Sequence, residues 1–145
     1  MRDKLICVRK IFYVLMGIFV VLVSYFLAWF PHQTKRALFP FVAILAAIFF
    51  VLGAVLIFLT LKLKTEKKLK VFLILTGASA VGFLISVILH NFFYGLGMVT
   101  GHIIPLKHIT GALHVTFFII AIFVCPIVFL IGAVGSMLML IKKRR

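Results

Sequence analysis

Four long apolar runs dominate the chain, and short basic clusters separate them. The first run extends from Ile11 to Phe30 and the second from Ala37 to Leu61. The third extends from Leu69 to Tyr94, and the fourth starts within 109–117 and ends at Ile141. A helix needs about 20 apolar residues to cross about 30 Å of hydrocarbon. The runs therefore predict membrane-spanning helices over about 11–30, 37–61, 69–94 and 115–141. Pro40 falls in the first turn of the second helix, where its missing N–H costs nothing. Barrel strands would show period-two alternation in segments of about 10 residues, and the chain shows none. The expected fold class is all-α: a four-helix integral membrane bundle, with residues 1–145 forming one domain. The first run is too long for a signal-peptide core and ends without a small-x-small cleavage pattern, so it reads as a retained helix. Segment 95–114 reads as a loop, with Pro105 and Gly111 interrupting regular structure. The fourth run exceeds one crossing, which points to an interfacial or re-entrant segment before the helix proper.

Composition supports the bilayer as solvent. Of the 145 residues, 66% are hydrophobic, more than a soluble domain of this size could bury. Charge then sets the orientation. The N-terminal segment, the middle loop and the C-terminus carry thirteen of the sixteen Lys and Arg residues. The positive-inside rule predicts that both termini are cytoplasmic, in a multi-pass cell-membrane protein. Tyr25, Trp29 and Phe30, and the run Asn91 to Tyr94, mark the opposite headgroup layer. Lys62, Lys64, Lys67, Lys68 and Lys70 form the densest basic block. It reads first as a solvated topology signal, and it would also attract anionic lipid. Nucleic acid is not an expected partner, because this short loop has no aromatic residue for stacking.

Helix association in lipid relies on small residues that let backbones approach. Ala78, Gly82 and Ser86 recur every four residues, and Gly132 and Ser136 repeat that spacing on the fourth helix. The third and fourth helices are expected to touch there, within one chain or between copies. Helix 2 adds a looser set of Ala43, Ala47, Gly53 and Ala54. Pro126 removes a backbone donor inside the fourth helix and strands the Ile122 carbonyl, so a kink is expected.

Little catalytic chemistry is available. The only carboxylates are Asp3 and Glu66, both outside the apolar runs. Proton relays and intramembrane proteases generally need ionisable groups within the spans. Cys7 and Cys125 lie at different depths and form no CxxC pair. Ser86 and His90 share a helix face, but no acid is available to orient the histidine. The remaining candidate chemistry is five histidines, His32, His90, His102, His108 and His114, all on the predicted outer side. Neutral imidazole suits zinc, copper or haem iron. The six-residue spacing of the last three turns successive side chains by about 240° on a helix, so they share no face. No cofactor is expected, and metal or haem at these histidines is the alternative.

The runs "LTGASAVGFLISVILHNFFYGL" and "FFIIAIFVCPIVFLIGAVGS" resemble a group of small uncharacterised four-helix prokaryotic membrane proteins. The likeness covers the second half of the chain. It implies a four-helix membrane protein and carries neither an activity nor a catalytic residue. The leading expectation is a non-enzymatic structural or accessory protein that binds lipids or other membrane proteins, a second copy of itself included. The alternatives are an oligomeric channel or small-solute transporter, and an outer-face metal- or haem-binding protein.

Overall fold

The computed structural model describes residues 2–28 and 31–142, with side chains from Leu5 onward. The five α-helices are α1 (Arg2–Leu27), α2 (His32–Leu61), α3 (Lys67–Val99), α4 (Ile104–Ile119) and α5 (Cys125–Lys142). A π-helical turn, Ile120–Val124, joins α4 to α5 without a break. Among the described residues, four helices are long and apolar enough to cross a membrane: Leu5–Leu27, His32–Leu61, Lys67–Val99 and Ile104–Lys142. It is a small all-α membrane bundle. Trp29 and Phe30, expected to close the first span, lie outside the described residues.

The main departure from expectation is at the histidine-rich end. Residues 95–114 do not form a loop: α3 continues to Val99, and α4 begins at Ile104. Pro105 does not break α4, because it sits in the first turn, where no helical N–H is lost. Gly111 lies inside the helix. Tertiary packing outweighs its weak helix propensity. Gly97 lets the Thr110 hydroxyl approach so closely that a Cβ there would stand 3.0 Å from it. Phe93 and Phe117 stack with centroids 5.7 Å apart. The start of the fourth span is thus one arm of an antiparallel helical hairpin, neither re-entrant nor flat on a surface.

Helix α3 is the spine of the bundle, packing against α2, α4 and α5. The contacts are closest where side chains are smallest. A Cβ on Gly53 would lie 2.9 Å from the Gly77 carbonyl, and one on Gly77 would lie 2.8 Å from the Gly53 carbonyl. On the other flank, a Cβ on Gly132 would lie 2.8 Å from the Thr76 amide. These seams exploit short-range dispersion, which is what distinguishes a protein neighbour from a lipid tail. The contacting face of α3 is Thr76, Gly77, Ser79, Ala80 and Ser86, all buried. Ala78 points outward, because one residue along a helix turns the side chain by about 100°. Gly82 is half-buried, with room for a Cβ 3.5 Å from the Cys125 sulfur. Gly132 and Ser136 are buried on α5.

Buried hydroxyls have no water to turn to. Thr76 Oγ1 donates to the Phe72 carbonyl at 2.9 Å, and Thr110 Oγ1 to the Leu106 carbonyl at 2.8 Å. Such back-bonding to the preceding turn satisfies the group within its own helix.

Helix α1 is held differently. It lies along α2 and buries Val8, Phe12, Leu15 and Leu22. It meets α5 through aromatic rings: Phe19 stacks on Phe129 at 4.2 Å, and Phe49 completes the cluster 5.4 Å from Phe129. Rings act here as spacers.

Gly77→Val should therefore destabilise the bundle by about 2–3 kcal/mol through overpacking against α2. Gly111→Ala, whose Cβ meets nothing within 4 Å, should be neutral or stabilise by up to about 1 kcal/mol. Denaturant unfolding of both variants in micelles checks this contrast.

Candidate functional site

Two features stand out: an apolar crevice between α1 and the π turn, and a histidine pair joining α3 to α4.

The crevice has a volume of about 180 Å³. Its origin lies in Pro126. The proline has no N–H to offer the preceding turn, and the helix widens just before it. The Cys125 N–H bonds the Ile120 carbonyl, five residues back. Such π turns recur at functional sites. The expected disruption at Pro126 thus takes the form of a wide turn in a continuous helix. Across from it, the Phe19–Phe129 stack props α1 away from α5. Phe19, Phe49 and Phe129 form the base. Ser79 and Phe83 of α3 line one side, and Ala121, Ile122 and Cys125 another.

The walls are almost entirely carbon. Ser79 Oγ is engaged with the Leu75 and Thr76 carbonyls at 2.9 and 3.0 Å, so it asks nothing of an occupant. Phe49 and Phe129 of the base and Ala121 of the wall are buried, while Phe26, Leu27 and Ile122 at the rim are exposed. The crevice therefore opens sideways, between the apolar helices α1 and the fourth span. From Phe19 to Phe26 it covers about 10 Å along α1.

The histidine pair lies near the opposite end from the α2–α3 turn. His90 of α3 and His114 of α4 stack face to face, with centroids 4.1 Å apart and planes 24° apart. Each ring reaches across the interface: His90 Nδ1 is 3.0 Å from the His114 carbonyl oxygen, and His114 Nδ1 is 3.3 Å from the His90 carbonyl oxygen. Both bonds require the proton on Nδ1, since a carbonyl only accepts. Phe118 and Tyr94 flank the stack. His90 thus turns toward α4, not back toward Ser86.

Only two of the five candidate histidines are brought together. His32 is exposed at the start of α2, His102 in the turn and His108 on α4. Among the described residues, no group of three or more His, Cys, Asp or Glu side chains converges as a metal site. The stacked pair does not fit a shared ion either. A metal must lie near each ring plane at about 2.0–2.1 Å from nitrogen, and two stacked planes offer no such common point. The pair reads instead as a polar clamp.

At the other end, the basic block is partly committed to the fold. Lys70 Nζ donates to the Leu61 carbonyl at 2.9 Å, capping α2. Lys62 sits 4.0 Å above the Phe58 ring. Lys64, Lys67 and Lys68 are exposed.

No family model, no curated protein and no solved structure matches the chain. Functional inference therefore rests on its own geometry.

The crevice was not legible as a site in the sequence. Its one signal was Pro126 within a Phe-rich run. The histidine pairing depends on the register between α3 and α4, which spacing along one helix cannot supply.

For the clamp, His114→Phe keeps a ring but removes the donor, and should cost about 1 kcal/mol. His114→Ala removes both and should cost about twice that. Equal unfolding midpoints for wild type and both variants would show that the pair contributes nothing to stability.

Proposed function

We propose that the protein is a non-catalytic membrane component that acts by binding lipid. The observation that carries this reading is the sideways-open, carbon-lined crevice. An opening of this kind cannot hold water, because water needs two to four polar partners. An aliphatic chain entering from the surrounding bilayer supplies the missing contacts. The supporting chemistry is consistent: the crevice presents no nucleophile with a base and no convergent ligand set, and its one hydroxyl is already bonded.

We also propose the orientation that the charge pattern implies. Both termini and the α2–α3 turn, the basic end, face the cytoplasm, and the histidine end faces outward. Five of the six basic residues closest to the centre of the chain lie in the turn segment, 62–70, and the sixth is Lys107.

Two experiments test these readings. Native mass spectrometry of the purified full chain should show a retained lipid, and Val23→Trp, which fills the crevice from its half-buried wall, should lose it while staying helical by circular dichroism. Retention unchanged in Val23→Trp would overturn the crevice reading. For orientation, a cysteine placed at exposed His102 in a Cys7→Ser background should label in intact cells with a membrane-impermeant maleimide. No labelling of that cysteine, together with labelling of Cys7 in the unsubstituted protein, would reverse the assignment.

A further inference from the structure

We infer that the crevice selects lipids with an anionic headgroup, holding one chain against the Phe19–Phe49–Phe129 base and the headgroup at Lys35 and Arg36. This rests on the lipid-binding reading above and adds the chemistry of the ligand's polar end.

The crevice alone supplies no choice among lipids. Lipid tails are as apolar as the residues lining it, so moving a chain from bilayer to crevice gains packing but no hydrophobic driving force. Discrimination has to come from the polar end, at the rim. The rim is formed by Phe26 and Leu27 at the outer end of α1. One residue before them, Tyr25 donates its hydroxyl to the Lys35 carbonyl at 3.0 Å. That bond fixes the first turns of α2 beside the mouth of the crevice. The bond is to the backbone of Lys35, and half-buried Lys35 and exposed Arg36 are thereby the cations adjacent to the rim end of α1, where the phosphate of a lipid seated in the crevice would have to lie.

Among the described residues, no carboxylate neutralises this pair. The two carboxylates are Asp3 and Glu66, one in the first turn of α1 and the other just before α3. Both belong to the opposite end of the bundle. The first turn of α2 holds no acidic residue and no side-chain cap, so the partial positive charge of its amides adds to the same field. A long apolar slot leading to an unopposed pair of cations matches a molecule with a hydrocarbon chain at one end and a phosphate at the other. A neutral lipid would fill the slot and leave the cations unanswered. Lys35 and Arg36 together should favour an anionic over a zwitterionic headgroup by about tenfold, since each basic residue near the surface adds roughly a fivefold preference and part of it is screened.

The second basic block, Lys64, Lys67 and Lys68, would also attract anionic lipid, but at the other end of the bundle and away from this slot. The test separates the two. The full-length protein in neutral detergent is titrated with phosphatidylglycerol and with phosphatidylcholine of identical chains, and bound lipid is counted by native mass spectrometry. Wild type should bind one phosphatidylglycerol with about tenfold preference. Lys35→Gln/Arg36→Gln should bind both lipids equally, retaining the chain site. Val23→Trp and, as a second plug at the exposed rim, Ile122→Trp should lose this lipid altogether. Lys64→Gln/Lys67→Gln/Lys68→Gln should keep the preference.

The failures are distinguishable. If wild type binds neither lipid, the lipid-binding reading itself falls. Equal binding of the two lipids by wild type leaves that reading standing and overturns the headgroup assignment. A preference that survives Lys35→Gln/Arg36→Gln but disappears with the Lys64, Lys67 and Lys68 substitutions places the anion at the wrong end and also overturns it.

Discussion

The structure depends on backbone approach along α3. In water, helices associate to hide apolar side chains. In lipid that incentive vanishes, and what remains is the density of contact that one helix can offer another. Gly53 against Gly77, and Gly132 against Thr76, bring main chains close enough for carbonyls and amides to act as packing surface. These two seams lie on neighbouring faces of α3, about 100° apart, and fix α2 and α5 relative to each other. The α4 arm then follows α3 outward, through the histidine clamp and the Gly97–Thr110 contact.

The crevice follows from the same rule applied unevenly. Where small residues meet, the bundle is closed. Where α1 approaches α5, large rings meet instead, and the π turn widens the facing helix. Close packing below the phenylalanine cluster and an opening above it are two outcomes of residue size at successive depths. Three buried hydroxyls, those of Thr76, Ser79 and Thr110, bond within their own helix, while those of Thr60 and Ser136 are buried without a partner.

Much of the fold was legible in the chain. Twenty-residue apolar runs and clustered charges define four spans almost without reference to structure. The seam was legible in part. Gly132, Ser136 and Ser86 announce themselves as small residues at helical intervals, but Ala78 fits the interval and faces outward, while its neighbour Gly77 makes the contact. Small residues crowd α3 so densely that several four-residue series coexist, and only the partner helix selects one. Gly53 stands in the sequence within a looser small-residue set on the second helix, and the facing Gly77 is what singles it out. At the histidine end, Pro105 and Gly111 suggested a loop because local propensity disfavours helix there; the contacts of Phe93, Gly97 and His90 with the facing helix outweigh it. His90 and His114 are 24 residues apart, and no periodicity within one segment relates them.

The aromatic seating of α1 has a consequence for how stability is distributed. Lifting α1 from α5 would separate rings that are flexible at χ1, and would leave both glycine seams intact. Separating α3 from α2 or from α5 would pull apart main chains in direct contact. The bundle is therefore mechanically a three-span block with a hinged outer stave. Local opening free energies are set by such differences in contact, so the stave is the cheapest part to displace. It is also the wall behind which the crevice lies. Exchange of an occupant needs only that one helix to breathe, while the remaining three keep their register.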